Sequence, residues 1–411
     1  MPPTIRYYAQ LVGFVVVSAA SLTHATVEVD TCGLVIQENG VLSADLDCSA
    51  YAGIALTIEN HARLDLQGFM LTAGDSAIYC PDGCGIVSTV SRGTIQGGSG
   101  AAIETAFIGP FSVSVDNVLI TGAGAGIVGG GSVVVKNSEI SNNTGAGVSA
   151  YQKLIVYASV IRDNGGDGAY GRGGAKVVDS EITGNGLIGV LGDDVSNVFH
   201  AKTVVVRSTV TGNGGGVRAI ENLKVSESSI DGNVQWGVGT TAHYARLTIS
   251  DSSVSSNGEH GVTTNGRSMT LKRSSIDDNG GAGVRHVGFS SGGRIKATDT
   301  SISGNGEDGI WGPFEDGISL VGCTVANNQL HGIANHSFVP AFFDPCEVKL
   351  LGSTVVSGNG LGPDCGVSLT CADVAACQFT EPQIFSGSTC GTSYVLDSGF
   401  PGDSWAVCTA D

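Results

Sequence analysis

Hydrophobic and polar positions alternate along this chain in short bursts, and no stretch carries a helical period. "VVVKNS", "LKVSES", "LTISDS" and "MTLKRS" place aliphatic residues at every second position, which is the pattern of a half-buried strand. Each burst runs into an Ile/Val-x-x-Asn phrase, and Gly-Val or Gly-Ile usually follows four residues after the Asn. "EISNNTGAGV", "EITGNGLIGV", "SIDDNGGAGV", "SISGNGEDGI" and "TVANNQLHGI" are copies of it. The Asn falls at 143, 164, 185, 213, 233, 257, 279, 305, 328 and 359, at intervals of 20 to 31 residues. Looser copies start earlier, so about thirteen units cover residues 62–362.

Each unit offers short strands separated by turns, and a unit this small cannot bury its own apolar face. Stacking unit on unit in parallel buries it, with Val133, Val135, Ile140 and Val148 pointing inward. In such a stack the repeated Asn is expected to take the left-handed turn between two strands. Its amide is expected to bond the Asn above and below. Two residues before each Ile/Val a second column of small residues recurs: Ser138, Ser159, Ser180, Ser208, Ser228, Ser252, Ser274, Thr300, Cys323 and Thr354. The pattern resembles the right-handed parallel β-helix of the pectin-lyase-like superfamily, which implies an all-β solenoid of about thirteen coils. Its open ends would be exposed sheet edges. Residues 26–61 are therefore expected to cap the start, residues 62–362 to form the repeats, and the Cys-rich residues 363–411 to cap the finish.

Composition changes this picture in three respects. Residues 1–25 read as a secretory signal, with Arg6 before the apolar run "LVGFVVVSAA" and a small-residue site at "THA". That run is too short to span a bilayer, so secretion or export to a periplasm is expected, without membrane insertion. Ten of the eleven cysteines gather toward the two ends, with Cys323 alone within the repeats, and they fit an oxidising compartment with disulfide-stapled caps, while their pairing is not readable. The net charge of −18 argues against nucleic acid, because no Lys/Arg stripe is present to neutralise phosphates. The chain is expected to act as a monomer.

Alternation points to where chemistry sits. With Val or Ile facing inward, the Gly before it and the residue after it are expected to face out. The residue after Gly-Val/Ile runs Tyr170, Leu191, Arg218, Gly239, Thr263, Arg285, Trp311, Ala334. The residue before that Gly runs Asp167, Ile188, Gly215, Trp236, His260, Ala282, Asp308, His331. Neighbouring coils thus gather Trp236, His260 and Arg285, with Asp308, Trp311 and His331 beyond. The loops after this strand carry further aromatic and charged residues, among them Phe199, His200, His286, Phe289, Phe314, His336 and Phe338.

Resemblance to polygalacturonase-like glycosidases covers His260-Gly261 and Arg285 one coil later. It stops there, because Trp236 and Gly215 stand where those hydrolases need acids. "GDD" at 192–194 and "RIK" at 294–296 fall out of register, and the pectate-lyase and alginate-epimerase signatures are absent. Polyuronate β-elimination or epimerisation needs a base at the sugar C5 and a positive group on the carboxylate. His260 fits the base, and Arg285 or a bound calcium ion fits the second role. Trp236, His286, Asp308, Trp311 and His331 are the expected substrate contacts, and extracellular polysaccharide is the expected partner. Asp193-Asp194 and Asp277-Asp278 are candidate calcium ligands, but a lone carboxylate pair without a third and fourth oxygen ligand reads better as a solvated turn. The competing class is a non-catalytic surface or adhesion protein that contacts a protein or glycan through its loops.

Overall fold

In a computed structural model of the chain, the described residues are 26–59, 61–81, 88–106, 112–193, 202–287, 293–312, 317–337 and 348–360. The backbone of strands Cys365–Thr370, Gln383–Ile384, Thr389–Cys390 and Asp403–Val407 is also described. The expected signal segment and Asp194, Phe199, His200, Phe289, Phe314 and Phe338 lie outside them.

Strands wind into a parallel β-solenoid of about 12 turns with no helix among the described residues. One coil shows the rule. Ser132–Lys136 and Glu139–Ser141 belong to a 29-stranded sheet, and Val148–Ala150 belongs to a 16-stranded sheet opposite. Every strand pairs with its counterpart about one repeat later, for example Val133↔Leu154, Ile140↔Ile161 and Val148↔Ala169. Parallel pairing already runs through Thr26–Val29, Leu34–Ile36 and Leu56–Ile58. Near the far end, Cys365–Thr370 continues the 16-stranded sheet, and Asp403–Val407 closes it antiparallel.

The core is the stack of inward aliphatic residues. Val133, Val135, Ile140 and Val148 are fully buried, as are their counterparts along the rod. Each such side chain contributes about 1.5–3 kcal/mol through burial, and that gain exists only once a neighbouring coil covers it. Cys32 and Cys48 form a disulfide that staples the first coils, 16 residues apart in sequence.

The Asn column forms an unbroken ladder. Each Asn from 143 to 328 donates its Nδ2–H to the Oδ1 of the next, at 2.8–3.1 Å. The same Oδ1 accepts the backbone N–H of the Asn in the coil before it, as Asn257 does from Asn233 at 3.1 Å. The expectation that this Asn itself takes the left-handed turn is corrected. The positive φ falls one residue earlier, at Asn142, Asp163, Gly184, Gly212, Gly232, Ser256, Asp278, Gly304, Asn327 and Gly358. That bend turns the following Asn side chain into the rod, where its amide meets its neighbours, and from Asn143 to Asn328 these residues are almost fully buried. The small-residue column does the same at the other corner. Ser159 Oγ accepts the N–H of Ser138 at 3.2 Å and donates to the Tyr157 carbonyl at 2.6 Å. Cys323 takes a Ser place in this column, with its thiol donating to the Val321 carbonyl at 3.5 Å.

The recurrent Gly before Val/Ile also departs from expectation, because it does not face out. A Cβ on Gly237 would lie 2.5 Å from Val254 Cγ1 and 2.7 Å from Asn257 Nδ2 of the next coil. Gly147, Gly168, Gly261, Gly283 and Gly309 meet the same obstruction. Glycine is required there so that the 16-stranded sheet can approach the Asn ladder.

Candidate functional site

The outer face of the 16-stranded sheet bears the candidate site, and its register is continuous. Tyr170↔Leu191, Leu191↔Arg218, Arg218↔Gly239, Gly239↔Thr263, Thr263↔Arg285, Arg285↔Trp311 and Trp311↔Ala334 are direct neighbours. The column before the Gly is held by a second ladder. Gly237 N–H donates to the His260 carbonyl, Gly261 to Ala282, Gly283 to Asp308 and Gly309 to His331. Both columns therefore stack one residue per coil.

His260 sits at the centre, with its side chain 15% exposed. Its Nε2 lies 2.6 Å from Arg285 Nη1, and its Nδ1 lies 2.9 Å from the Ala282 N–H and 3.7 Å from Glu307 Oε2. A neutral imidazole has one acceptor nitrogen, so it accepts from Arg285 or from Ala282 but not from both. The Ala282 backbone N–H donates to Nδ1, so in the neutral ring Nδ1 is the acceptor and the proton sits on Nε2, beside Arg285. Burial lowers the imidazole pKa below its ordinary 6.5, and the Arg285 charge lowers it further, against opposing pulls from Glu307 and Glu259. The ring is therefore neutral at pH 7.

Arg285 lies with its guanidinium 5.1 Å from the centre of the Trp311 ring. That geometry fixes the fork without neutralising it. Gly281 leaves the space His260 occupies, since a Cβ there would come 2.4 Å from His260 Nδ1. Trp236 lies across Gly215 and Gly239, whose added Cβ atoms would meet its ring at 3.1 and 3.7 Å. It forms a flat, half-buried plate one coil before His260.

Two expected contacts are corrected. His286 is only 1% exposed and faces the interior, where its Nε2 meets the Gly266 carbonyl at 3.1 Å. It follows Arg285 directly, so strand alternation turns it inward and it is no surface contact. Asp308 is 6% exposed, and its Oδ1 accepts from the His331 backbone N–H and lies 2.7 Å from His331 Nδ1. It therefore orients His331 rather than facing solvent. Sequence reasoning missed Glu307 as a partner of His260, although the Gly281 gap between Glu259 and Glu307 signals it.

Leu187, Val234 and Tyr51 lie in turns entering the 16-stranded sheet, and Tyr151 and Tyr244 lie in turns leaving it. Among the described residues, no cluster of three or more His, Cys, Asp or Glu side chains is arranged to hold a metal ion. Asp277 instead accepts from the Ser301 hydroxyl at 3.0 Å and the Ser303 N–H at 2.8 Å. Arg294 of "RIK" pairs with Ser268 in the 29-stranded sheet, away from His260.

Comparison with protein families places the whole arrangement. Residues 99–251, 169–311 and 244–401 each match the profile of the right-handed β-helix region, together spanning well over half of the chain. The chain belongs to the right-handed β-helix family. Among solved structures, it is similar to the A-module of Azotobacter vinelandii mannuronan C-5 epimerase AlgE6, at 12% identity and TM-score 0.40. That alignment covers 83% of this chain and 91% of that one. It is also similar to a double mutant of the periplasmic alginate epimerase AlgG, at 11% identity, TM-score 0.39 and 83% of each chain. The A-module of the Azotobacter vinelandii epimerase AlgE4 gives 13% identity and TM-score 0.34, over 88% of this chain and 90% of that one. These likenesses reach no further than the winding of a β-helix. Comparison with curated proteins gives no significant match. No helix among the described residues of this β-helix is long and apolar enough to cross a membrane.

Proposed function

We propose that this β-helix is an exported protein that engages acidic polysaccharide on the outer face of its 16-stranded sheet, and that it removes the C5 proton of a uronate there. The observation that carries the proposal is the 2.6 Å contact between a neutral His260 and an Arg285 that has no carboxylate partner among the described residues. Arg285 supplies the planar fork that matches a sugar carboxylate. When that carboxylate takes the guanidinium, His260 Nε2 loses its neighbour, and in the tautomer that carries its proton on Nδ1, beside Glu307, the Nε2 lone pair serves as the base. The Glu307 carboxylate near Nδ1 then stabilises the imidazolium that forms, as the buried acid does in a catalytic triad. Trp236 and Trp311 offer flat surfaces for sugar rings on either side. Loss of the C4 substituent after proton removal gives a lyase, whereas return of a proton to the opposite face gives an epimerase. Calcium enters only if it joins Arg285 on the carboxylate.

A second reading has its own support. Both imidazole nitrogens already have partners in this structure, which suits a non-catalytic rod that binds glycan through Trp236, Arg285 and Trp311. The two readings part on one experiment, in which pectate and alginate are incubated with the protein, with and without calcium. Unsaturated or epimerised product that His260→Ala abolishes supports catalysis. Binding without product supports the rod, and neither binding nor product overturns both.

A further inference from the structure

On the 29-stranded sheet Arg92, Arg162, Arg207 and Arg273 each pair with an Asp or Glu, while Arg63, Arg246 and Arg294 stand in its strands without an ion pair among the described residues. Arg218 and Arg285 stand in strands of the 16-stranded sheet and Arg172 in the turn leaving its strand Ala169–Gly171, and among the described residues none of them forms an ion pair. Two of these three rest on aromatic rings instead: Arg172 stands 4.3 Å from the centre of the Tyr151 ring, and Arg285 stands over Trp311. Arg218, between them, is exposed.

The carboxylates beside Arg172 are engaged elsewhere. Asp193 takes the Tyr170 hydroxyl, and Asp167 accepts the Ile188 N–H at 2.9 Å. Arg172 and Tyr151 thus present a cation on an aromatic plate, the same combination that Arg285 and Trp311 present. Arg218 stands two coils on from Arg172, and Arg285 stands three coils beyond Arg218. At about 4.8 Å per coil the three span roughly 24 Å along one face.

We infer that Tyr151, Arg172 and Arg218 form a second station for the same glycan, binding acidic groups on sugars remote from the one held at Arg285. The inference rests on the proposed reading of the His260 and Arg285 site. Its ligand is a linear polyanionic chain laid along the rod axis, long enough to reach both stations at once. Engagement of the second station is then intramolecular, so affinity rises with chain length. Each arginine–carboxylate contact contributes a charge-assisted bond worth about tenfold in affinity.

Isothermal titration of the full chain tests this, using uronate dimers, long oligouronates and long oligouronates with their carboxylates reduced to alcohols. Arg172→Ala and Arg218→Ala are compared with the unaltered protein, with circular dichroism checking the fold of each. The expected result is tighter binding of long oligouronates than of dimers. Each substitution should cost about tenfold on the long chains and nothing on the dimers. The carboxyl-reduced chains should bind no better than dimers. Equal binding of dimers and long chains, unchanged binding in both variants, or full affinity for the reduced chains would overturn the second station while leaving the Arg285 site standing. Absence of binding by dimers and long chains alike would overturn the site itself, and the second station with it.

Discussion

Arg285 of one coil points its guanidinium at His260 of the coil before, with 2.6 Å between Nη1 and Nε2. Neither residue is held by its own strand alone. His260 fits because Gly281 has no Cβ, and Arg285 is steadied by Trp311 one coil further on. Three coils therefore build one pair, and the pair is sensitive to changes in residues that never touch a ligand.

Gly281→Ala is the sharpest case. Its new Cβ would come 2.4 Å from His260 Nδ1, so the ring must leave its place while the backbone stays regular. The variant should fold with an unchanged circular dichroism spectrum and lose most glycan turnover, about 100-fold or more if His260 is the base. Turnover at the unaltered level would show that this position of the ring does not matter.

Substitutions at Arg285 separate charge from shape. Arg285→Lys keeps the charge but loses the fork and much of the stacking on Trp311. It should weaken oligouronate binding by about tenfold, and Arg285→Ala should weaken it further. Titration calorimetry reads both values.

The pH dependence follows from the depressed His260 pKa. Burial and the Arg285 charge keep the ring neutral above its folded-state pKa, which lies below 6.5. Activity that needs the free base should rise with pH and level off by about pH 6.5. For stability the sign is the same. As pH falls below about 6.5 the unfolded chain takes up a proton that the folded chain resists, so stability is lost until the folded pKa is passed. His260→Gln should remove that part of the slope, as measured by urea denaturation at several pH values.

Asn257 tests the ladder in the same coil. Its Oδ1 accepts both the Nδ2–H and the backbone N–H of Asn233, and its own Nδ2–H reaches Asn279 and the Ile230 carbonyl. Asn257→Ala leaves several buried groups unsatisfied and should destabilise the rod by about 2–4 kcal/mol in chemical denaturation. Arg207→Ala, which breaks an exposed pair with Asp179, should change stability by less than about 1 kcal/mol.

Much of this architecture is legible in the amino-acid sequence. Spacing alone sets the Asn and Ser columns, and the order of Arg218, Gly239, Thr263, Arg285 and Trp311 in one row follows from counting on from each Gly-Val. Side-chain direction at the turns is not legible in the same way. The left-handed residue precedes the ladder Asn, because the bend must come before the amide can enter the rod. The recurrent Gly is pressed against that amide, a contact between different coils that no single repeat displays. His286 and Asp308 look available by position, yet one follows the inward phase of its strand and the other is covered by His331. Glu307 reaches His260 from two coils away, and its reach depends on the gap at Gly281.

In the proposed reaction His260 takes the C5 proton of a bound uronate. Proton exchange reads this step whether elimination or epimerisation follows. Oligouronates would be incubated with the protein in deuterium oxide and followed by nuclear magnetic resonance, with His260→Ala alongside. Deuterium at C5, or unsaturated product, is predicted with the unaltered protein, and neither with the variant. Oligouronate that binds yet shows no exchange and no product, or that exchanges equally with both proteins, would rule out His260 as the base.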